Sequence, residues 1–395
     1  MADHDAQFNP LHPDVLRDPY SAYRSLREED AVLWHEQLRS WILTRYADCA
    51  TVLTDSDTFA ADFRRIGIPT PRPLLSLQTL DPPEQTSLRQ FALSAVHAQD
   101  LRELEEDATT RAREELRNLA SRDAFDFVQD FAEPFALRTI SKLLGAEPPP
   151  KDETWDQQNE ELDRSMDSGL DPDTEEAGLR ARERFSALVD TWLAARPTEG
   201  ILGYVSRNQG RAGVSHQVLL NSVRAFWHAG FEVPSRFMCN SVLTILQDRR
   251  AADALRHAES LDLGVEELAR YVGPVHALSR ACTRMVGLGA HVIEAGDVVV
   301  AMIAAANRDP EQFDRPDELV IDRYPNPHLG FGRGAHACLG FMIGKMEVRV
   351  VLSEILRSYP GIKLTGEPLP RATATLRGLK SLPVRLGAPV SLVPA

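Results

Sequence analysis

The chain has 395 residues, of which 43% are hydrophobic and 26% are charged, so it can fold around a large core. Its net charge of −14 argues against general nucleic-acid binding, which needs a basic surface. The four cysteines are scattered without a CxxC pair, which argues against a disulfide framework or a zinc ribbon and favours a reduced compartment: Cys49, Cys239, Cys282 and Cys338.

The N-terminal segment, residues 1–14, is polar and acidic and lacks the basic and apolar regions of a secretory signal. No uninterrupted run of about 18 apolar residues occurs, so we predict no membrane span. The chain is therefore expected to be cytoplasmic, with neither a membrane nor a nucleic acid as its partner.

The N-terminal part predicts a mixed structure. Residues 18–28 have the pattern of a helix, residues 32–34 and 41–43 that of short strands, and the stretch up to residue 55 that of another helix. Residues 58–80 are rich in Pro, Arg and Gly and predict a long loop, of the kind that often forms a lid or a binding loop.

Residues 82–257 are mostly helical in pattern and include one helix that should be long and buried. Its apolar residues repeat at helical spacing: Leu219, Leu220, Val223, Phe226, Trp227, Phe231, Phe237, Met238, Val242, Ile245 and Leu246. Gly230 and Pro234 lie in its middle and should weaken its hydrogen-bond ladder.

After residue 280 the pattern changes to short strands with glycine turns, and residues 379–395 are also strand-like. We therefore predict a single domain, residues 1–395, that is mainly α-helical with small β-sheets.

Residues 328–340, HLGFGRGAHACLG, are called the Cys loop below. Glycines on both sides of Cys338 permit sharp turns and a close approach of the backbone to a flat ligand. An amphipathic helix follows Gly340, so Cys338 should lie at a helix N-terminus, where the dipole favours a thiolate. A thiolate is a soft ligand that suits iron.

Three kinds of site fit these residues. Cys338 could hold haem iron, or it could be a catalytic thiol nucleophile. A zinc site would use His328, His336 and Cys338, but it lacks a fourth nearby ligand. Local chemistry ranks the first two equally, and the other three cysteines are interpreted as small buried hydrophobes.

The pattern Phe331-Gly-x-Gly-x-His336-x-Cys338-x-Gly340 resembles the haem-binding loop of the cytochrome P450 superfamily in its soluble bacterial form. The likeness covers most of the chain. It implies the P450 fold, with haem b between a long distal helix and the proximal helix after the Cys loop, and Cys338 as the axial iron ligand. It also implies an O2-dependent monooxygenase that receives electrons from a separate ferredoxin, or flavodoxin, and its reductase.

The resemblance assigns further roles in the same region. Glu267 and Arg270 match the family's ExxR pair, and Arg323 matches the third member of that network, which is expected to fix the geometry of the Cys loop. Phe331 is expected to pack beside the sulfur. The resemblance implies that the other residues that contact haem or shape its loop are Arg89, Arg280, His336, Gly332, Gly340 and Gln85, the last at a position where many relatives carry histidine.

The long helix departs from the family at one position. Ala229, Gly230 and Glu232 match the motif Ala-Gly-x-Asp/Glu-Thr, but Val233 replaces the threonine. In the family that alcohol helps to deliver protons during oxygen activation, and valine cannot donate.

Three hypotheses account for the missing alcohol. A group of the substrate, with water, replaces it; Ser235 or Glu232 relays protons instead; or the enzyme couples, rearranges or desaturates a substrate radical. The simplest alternative is that the alcohol is dispensable and Val233 only packs.

The resemblance places the substrate pocket at the loop of residues 64–78, one face of the long helix, the stretch after Pro274 and the turn near residue 376. It assigns to the pocket Leu74, Leu75, Phe226, Phe231, His276, Leu278 and Leu376. Arg64, Arg65 and Arg72 could meet an acidic substrate, although solvated loop charges are the simpler interpretation.

We therefore predict a monomeric P450 monooxygenase that modifies a small organic molecule, as in antibiotic or other secondary-metabolite biosynthesis. The alternatives are a haem enzyme that catalyses radical coupling or is driven by peroxide, and a non-catalytic haem sensor or carrier. Near the Cys loop, Arg333, Lys345 and Arg349 predict a basic docking patch for the electron donor.

Overall fold

A computed structural model describes residues 8–390, apart from the side chains of residues 258 and 259. Residues 1–7 of the polar N-terminal segment and 391–395 of the predicted C-terminal strand region lie outside the described residues. Helices form most of the described part: α1 (Pro13–Arg17), α2 (Pro19–Glu29), α3 (Tyr46–Thr54), α4 (Glu84–His97), α5 (Leu101–Leu119), α6 (Glu133–Leu144), α7 (Glu153–Arg164), α8 (Glu175–Ala194), α9 (Gly200–Asn208), α10 (His216–Gln247), α11 (Arg249–Leu255), α12 (Ala258–Val272), α13 (Ile303–Ala306) and α14 (Phe341–Ser358).

The strands are short: β1 (Val32–His35), β2 (Ser40–Leu43), β3 (Phe59–Ala60), β4 (Phe125–Asp126), β5 (Leu278–Cys282), β6 (Val286–Leu288), β7 (His291–Ile293), β8 (Val298–Ala301), β9 (Lys363–Leu364), β10 (Leu369–Pro370), β11 (Leu379–Ser381) and β12 (Pro383–Arg385). The largest sheet has the order β1-β2-β8-β5-β3 and joins the N-terminal region to the strands just beyond α12. Strands β2 and β8 are parallel, and the other neighbours in this sheet are antiparallel.

The predicted fold class, mainly α with small β-sheets, is confirmed. The predicted early elements correspond to α2, β1, β2 and α3 with ends within two residues, and the strand-rich texture after residue 280 corresponds to β5 to β8. No described helix is both long and apolar enough to cross a membrane.

Helix α10 passes through the main hydrophobic core, as its all-round apolar pattern predicts. It begins where the hydroxyl of Ser215 caps the N–H of Val218 at 3.3 Å, and it packs against α6, α8 and α14. The helix continues through Gly230 and Pro234 without interruption. The expected weak point therefore does not divide it.

A single stripe of α10 is not fully covered. Between Val218 and Met238 the only partly exposed side chains are those of Ser222, Phe226, Ala229 and Val233. Their spacing of four, three and four residues puts them on one helical face. This stripe faces open space, whereas the rest of the helix surface there is packed against protein.

Gly230 lies close to the seam between α10 and α6. A Cβ built on Gly230 would lie 2.5 Å from Cδ1 of the buried Ile140 on α6. The contact explains the glycine by helix packing, because the side chain of Ile140 would have to shift to admit any larger residue.

We expect Gly230→Ala to lower the free energy of unfolding, because overpacking costs about 1–3 kcal/mol and outweighs the gain of up to about 1 kcal/mol in helix propensity. The matched control is Gly344→Ala on α14, where the nearest neighbour of the added Cβ is 3.9 Å away. That change should stabilise the protein. Urea denaturation of both variants makes the comparison, and equal shifts would contradict the packing explanation.

Candidate active site: the Cys loop and the open stripe of the long helix

The Cys loop is built by backbone turns that favour glycine. Gly332 and Gly334 have φ angles of 66° and 71°, and a Cβ on Gly334 would lie 2.6 Å from the carbonyl oxygen of Leu53. The N–H of Cys338 donates to the carbonyl of Phe331 at 2.8 Å, which closes the loop. The loop therefore presents Cys338 in a fixed position, three residues before α14 begins.

Cys338 is the exposed cysteine, whereas Cys49, Cys239 and Cys282 are buried. Surrounding protein nevertheless raises the pKa of its thiol, and this desolvation outweighs the N–H of Gly340 and the charge of Arg89, which lower it. The sulfur is thus accessible although the surrounding protein desolvates it. The N–H of Gly340 at the helix N-terminus favours the thiolate, but less than desolvation opposes it, and a coordinated metal ion would deprotonate the thiol.

The cleft lies between the Cys loop and the open stripe of α10. Leu339 of the loop and Ser222 and Phe226 of the stripe line one cavity of about 40 Å³, together with Leu77 and residues of α4 and α9. Cys338 adjoins this cavity in sequence. The proximal loop and the distal helix thus approach each other from opposite sides of one space.

Two arginines at the cleft have no carboxylate partner among the described residues. Arg89 donates from Nη2 to the carbonyl of Ala337 at 2.7 Å, and Arg280, only 7% exposed, donates to the carbonyl of Ser279 at 2.8 Å. Burial lowers the pKa of both, opposed by the charge of Cys338 for Arg89 and of Asp81 for Arg280. Buried cations normally pair with anions. An accessible thiol beside two unpaired guanidiniums suits a ligand that carries a metal ion and two carboxylates, which haem does.

His336 and Gln85 lie in the same region but bind protein. His336 Nε2 lies 2.8 Å from Asp81 Oδ1, and Gln85 donates from Nε2 to the carbonyl of Ala335 at 2.9 Å. Burial of Asp81 favours its neutral form, but the hydrogen bonds from His336 and from backbone N–H groups outweigh it and lower the pKa of Asp81. Both residues therefore brace the Cys loop. Asp81 was not singled out from the sequence; its only signal is the Asp-Pro-Pro turn before α4.

The carboxylate of Glu267 accepts hydrogen bonds from both of its predicted partners. Arg270 donates to it from Nε and Nη2 at 2.8 Å each, and Arg323 donates from Nε at 3.1 and 3.0 Å. Glu267 and Arg270 are fully buried. Asn326 also donates to Glu267 at 3.1 Å, which ties the network to the segment that leads into the Cys loop.

Phe331 is partly buried against the core, with its ring centroid 6.3 Å from that of Phe341. Gly340 has open space where a Cβ would point, so the start of α14 leaves room for a ligand. These two positions fit the roles that the resemblance gave them.

The comparisons with known proteins agree with this geometry. The sequence model of the family described as Cytochrome P450 matches residues 238–379, which include α12 and the Cys loop. The relative Putative cytochrome P450 YjiB from Bacillus subtilis (strain 168) is 27% identical over 93% of this chain and 94% of its own length.

Solved structures extend the match to nearly the whole chain. CalO2 is 29% identical, with a TM-score of 0.84 over 96% of this chain and 98% of its own. The Bacillus subtilis 168 bacillaene polyketide synthase cytochrome P450 PksS is 26% identical, with a TM-score of 0.86 over 96% and 100%. The chain belongs to the cytochrome P450 superfamily. It is therefore a P450 monooxygenase whose cofactor is protoporphyrin IX iron with a cysteine thiolate ligand.

Only some residues of the P450 motif on α10 lie on the open stripe of the helix. Ala229 and Val233 lie on the open stripe, whereas Gly230 is committed to the contact with Ile140. Ser235 is 2% exposed, and its hydroxyl donates to the carbonyl of Glu232 at 3.0 Å, within its own helix. Ser235 therefore does not face the cleft as a relay residue would.

Glu232 is also directed away from the open stripe. It is 3% exposed and accepts from Arg236 Nε and Nη2 at 3.2 and 3.1 Å, while Arg236 also pairs with Asp163 of α7. Burial raises the pKa of Glu232, but the charges of Arg236, Arg371 and His228 and the hydrogen bond from Arg236 together outweigh it, and the net pKa is lowered. An ionised carboxylate held by a guanidinium is a poor proton donor.

The predicted pocket residues divide into two groups. Phe226 lines the cavity, and Leu74, Leu75 and Leu278 are partly buried. Leu77 and Leu339 also line the cavity but were not predicted, because nothing in their local sequence separates them from core leucines.

Three predicted pocket residues lie elsewhere. Phe231 is 3% exposed and packs on Trp155, Trp227 and His228, since it is half a helical turn away from the open stripe. His276 is 1% exposed and lies 3.0 Å from the hydroxyl of Tyr23. Leu376 is 4% exposed and pairs with Val275 in a β-bridge. Tertiary packing covers each of them in this structure, so their role in the pocket stays a prediction.

We expect Glu267→Gln to lower the free energy of unfolding by about 3–5 kcal/mol, because it leaves Arg270 and Arg323 buried without a charged partner. The control is Glu176→Gln on the surface of α8, where the ion pair with Arg180 should contribute less than about 0.5 kcal/mol. Chemical denaturation measures both. Similar small losses would show that the Glu267 network does not hold the fold.

Proposed function

We propose that Cys338 is the axial ligand of haem iron and that the chain is a single P450 domain that oxidises a small organic molecule in secondary metabolism. The observation that carries this proposal is the accessible, desolvated thiol with the unpaired guanidinium of Arg89 near it, and with that of Arg280 near Asp81, which bonds to His336 of the same loop. The relative named Polyketide biosynthesis cytochrome P450 PksS supports the metabolic setting, at 26% identity. A cytoplasmic location and a monomeric state are part of the same proposal.

Different residues near the Cys loop would contribute in different ways to binding the cofactor. Arg89 and Arg280 would bind its two carboxylates, and the bracing by Asp81, His336 and Gln85 would keep the Cys loop in register with them. Phe331 would limit water at the sulfur. Bound haem supplies the iron that activates dioxygen.

We propose that protons reach the distal side through water and a hydroxyl or carboxyl group of the substrate. Val233 lies on the open stripe and has no donor, and the two alternative relay groups are engaged elsewhere: Ser235 with its own helix and Glu232 with Arg236. The same observation favours the second candidate, in which a substrate radical couples, rearranges or loses a second hydrogen, or peroxide drives the oxidation.

The electron donor is proposed to be a separate ferredoxin or flavodoxin with its reductase. The predicted basic patch is weaker than expected, because Lys345 pairs with Glu266, and Arg349 pairs with Glu105 at 2.7 Å and Asp262 at 3.3 Å. Arg333 is the member of the three without a carboxylate partner in the described part of the chain; it lies 5.9 Å from the ring of Tyr46. Docking would therefore depend less on charge than the sequence suggested.

We expect the reduced protein with carbon monoxide to show the strongly red-shifted Soret band of thiolate ligation, and Cys338→Ser to abolish it. The control is Cys282→Ser, since its Sγ lies 3.0 Å from the carbonyl of Arg284 and a hydroxyl can keep that hydrogen bond. Circular dichroism checks that both variants fold. Absence of the band in the wild type, or its survival in Cys338→Ser, would refute the assignment.

We expect Val233→Thr to raise product formed per NAD(P)H consumed by roughly two- to tenfold with substrates that lack a hydroxyl or carboxyl group, because it adds a proton donor at the cleft. Val233→Ala changes the size of the side chain without adding an alcohol and is the matched control. If both variants behave alike, proton delivery at this position does not limit the reaction.

A further inference from the structure

The loop arginines that could have met an acidic substrate are mostly engaged. Arg64 pairs with Asp62 at 2.6 Å and Glu84 at 2.8 Å. Arg65 donates to the carbonyls of Ser56 and Asp57 at 2.7 and 3.0 Å. Recognition of a charged substrate, if it occurs, must therefore use residues deeper in the protein.

A polar stripe follows α10 on a face other than the open one. Arg224, His228, Glu232 and Arg236 are spaced four residues apart, and each is at most 4% exposed. Such residues lie above one another along a helix. In a helix that is otherwise apolar, a continuous line of buried polar side chains needs partners on the neighbouring elements.

At one end of this polar stripe, the buried charges form ion pairs. Arg236 pairs with Glu232 on its own helix and with Asp163 on α7. The buried charges there include both signs in direct contact, which compensates their desolvation. This end of the stripe already contains carboxylates, although Oδ1 of Asp163 and Nε2 of His228 have no hydrogen-bond partner there.

At the other end of the stripe, the buried arginines have no ion-pair partner among the described residues. Arg224 donates from Nη2 to the carbonyl of Pro73 at 3.1 Å, and its Nε has no partner. Arg182 on α8, 9% exposed, donates from Nη1 to the hydroxyl of Ser165 at 2.7 Å. In the part of the chain that the structure describes, neither guanidinium forms an ion pair with a carboxylate.

The two arginines also influence each other. Burial, together with the like charge of Arg182, lowers the pKa of Arg224 to about 9. Burial lowers the pKa of Arg182 to about 10, which the charge of Asp163 only partly opposes. Two neighbouring buried cations without a counter-ion are strongly unfavourable unless an anion joins them.

The position of this pair connects it to the cleft. Asn221 donates to the carbonyls of Arg72 and Leu75 at 2.8 and 2.9 Å, and Ser222 accepts from the N–H of Leu77 at 2.9 Å, so the loop of residues 72–77 lies on α10. Arg224 holds the same loop through Pro73. Leu77 and Ser222 also line the cavity beside the Cys loop.

We propose that Arg182 and Arg224 bind an anionic group of the substrate, a carboxylate or a phosphate monoester, beneath the loop of residues 72–77. The unpaired guanidiniums, one from α8 and one from α10, are the juxtaposition that carries this inference. An anion held there would leave the apolar part of the same molecule to occupy the cleft. The inference rests on the proposed function, since it names the substrate class of that site.

The test uses the full-length, haem-loaded protein and three probes with the same alkyl chain: decanoate, decyl phosphate and 1-decanol, all below their aggregation limits. Equilibrium dialysis measures each affinity. We expect the wild type to bind at least one anion about tenfold or more tightly than the alcohol, because hydrogen bonds to charged groups are the stronger ones. The tighter of the two anions identifies the carboxylate or the phosphate as the natural group.

Variants separate this site from general charge. Arg224→Met and Arg182→Met should each reduce the preference for the anion about tenfold, whereas Arg224→Lys should keep part of it. Arg180→Met is the matched control, because Arg180 lies on the same helix, exposed and paired with Glu176. We expect ligand-free Arg224→Met to lose little thermal stability, because removal of an unpaired buried charge offsets the loss of the hydrogen bond to Pro73.

A wild type without preference for either anion over the alcohol overturns the proposal, as does an unchanged preference in both methionine variants. A large loss of thermal stability in ligand-free Arg224→Met also counts against it, since the arginine would then be structural. The carbon monoxide spectrum of each variant reports on the haem site independently of probe affinity. Failure of the anion site is therefore distinguishable from failure of the proposed function.

Discussion

The carboxylate of Glu267 holds together the parts of the chain that present the cysteine. It accepts from Arg270 on its own helix, from Arg323 beyond α13, and from Asn326 just before the Cys loop. Arg270 in turn donates to the carbonyl of Asn307 at 2.8 Å, and the side chain of Asn307 accepts from the N–H of Leu329 at 2.8 Å. Because these groups are buried, each depends on the others for the interactions that water would otherwise provide.

The same rule separates structural charges from those that we propose bind ligands. Arg270, Arg323 and Arg236 are buried and paired with carboxylates of the chain. Arg89 and Arg280, near the Cys loop, and Arg182 and Arg224, beneath the loop of residues 72–77, lack such partners among the residues described. A buried cation without a partner of opposite charge destabilises the protein, so we expect a bound anion to supply that partner. On this reasoning the cofactor and the substrate each complete a part of the fold.

On the distal side, the chain keeps most of the family's motif, but the side chains of that motif make different contacts. Glu232 matches the family, yet Arg236, one turn later, pairs with it, and Val233 offers the cleft no donor. The chain therefore brings fewer proton donors to the cleft than the motif suggests. A substrate that brings a hydroxyl group of its own into the cleft would compensate for this.

Features that depend on residues close together in the sequence could be predicted, whereas features that depend on distant segments could not. Local spacing determines the long buried helix, the glycine turns and the position of Cys338. The sequence therefore indicated them, and the resemblance assigned their roles. The sequence did not reveal which side of α10 would stay open. Phe226 and Phe231 are both aromatic residues of one helix, but only Phe226 lies on the open stripe, because the aromatic cluster with Trp155 covers Phe231.

The amino-acid sequence by itself determined the fold class, the cofactor loop and the absence of an alcohol at Val233, since each is a property of residue type and spacing along the chain. Only the tertiary structure decided which charges are paired. Arg236 and Arg224 are both buried arginines of one helix, and their difference arises because α7 brings Asp163 to one, whereas α8 brings Arg182 near the other. Partners that come from distant segments depend on packing, and local sequence does not specify them.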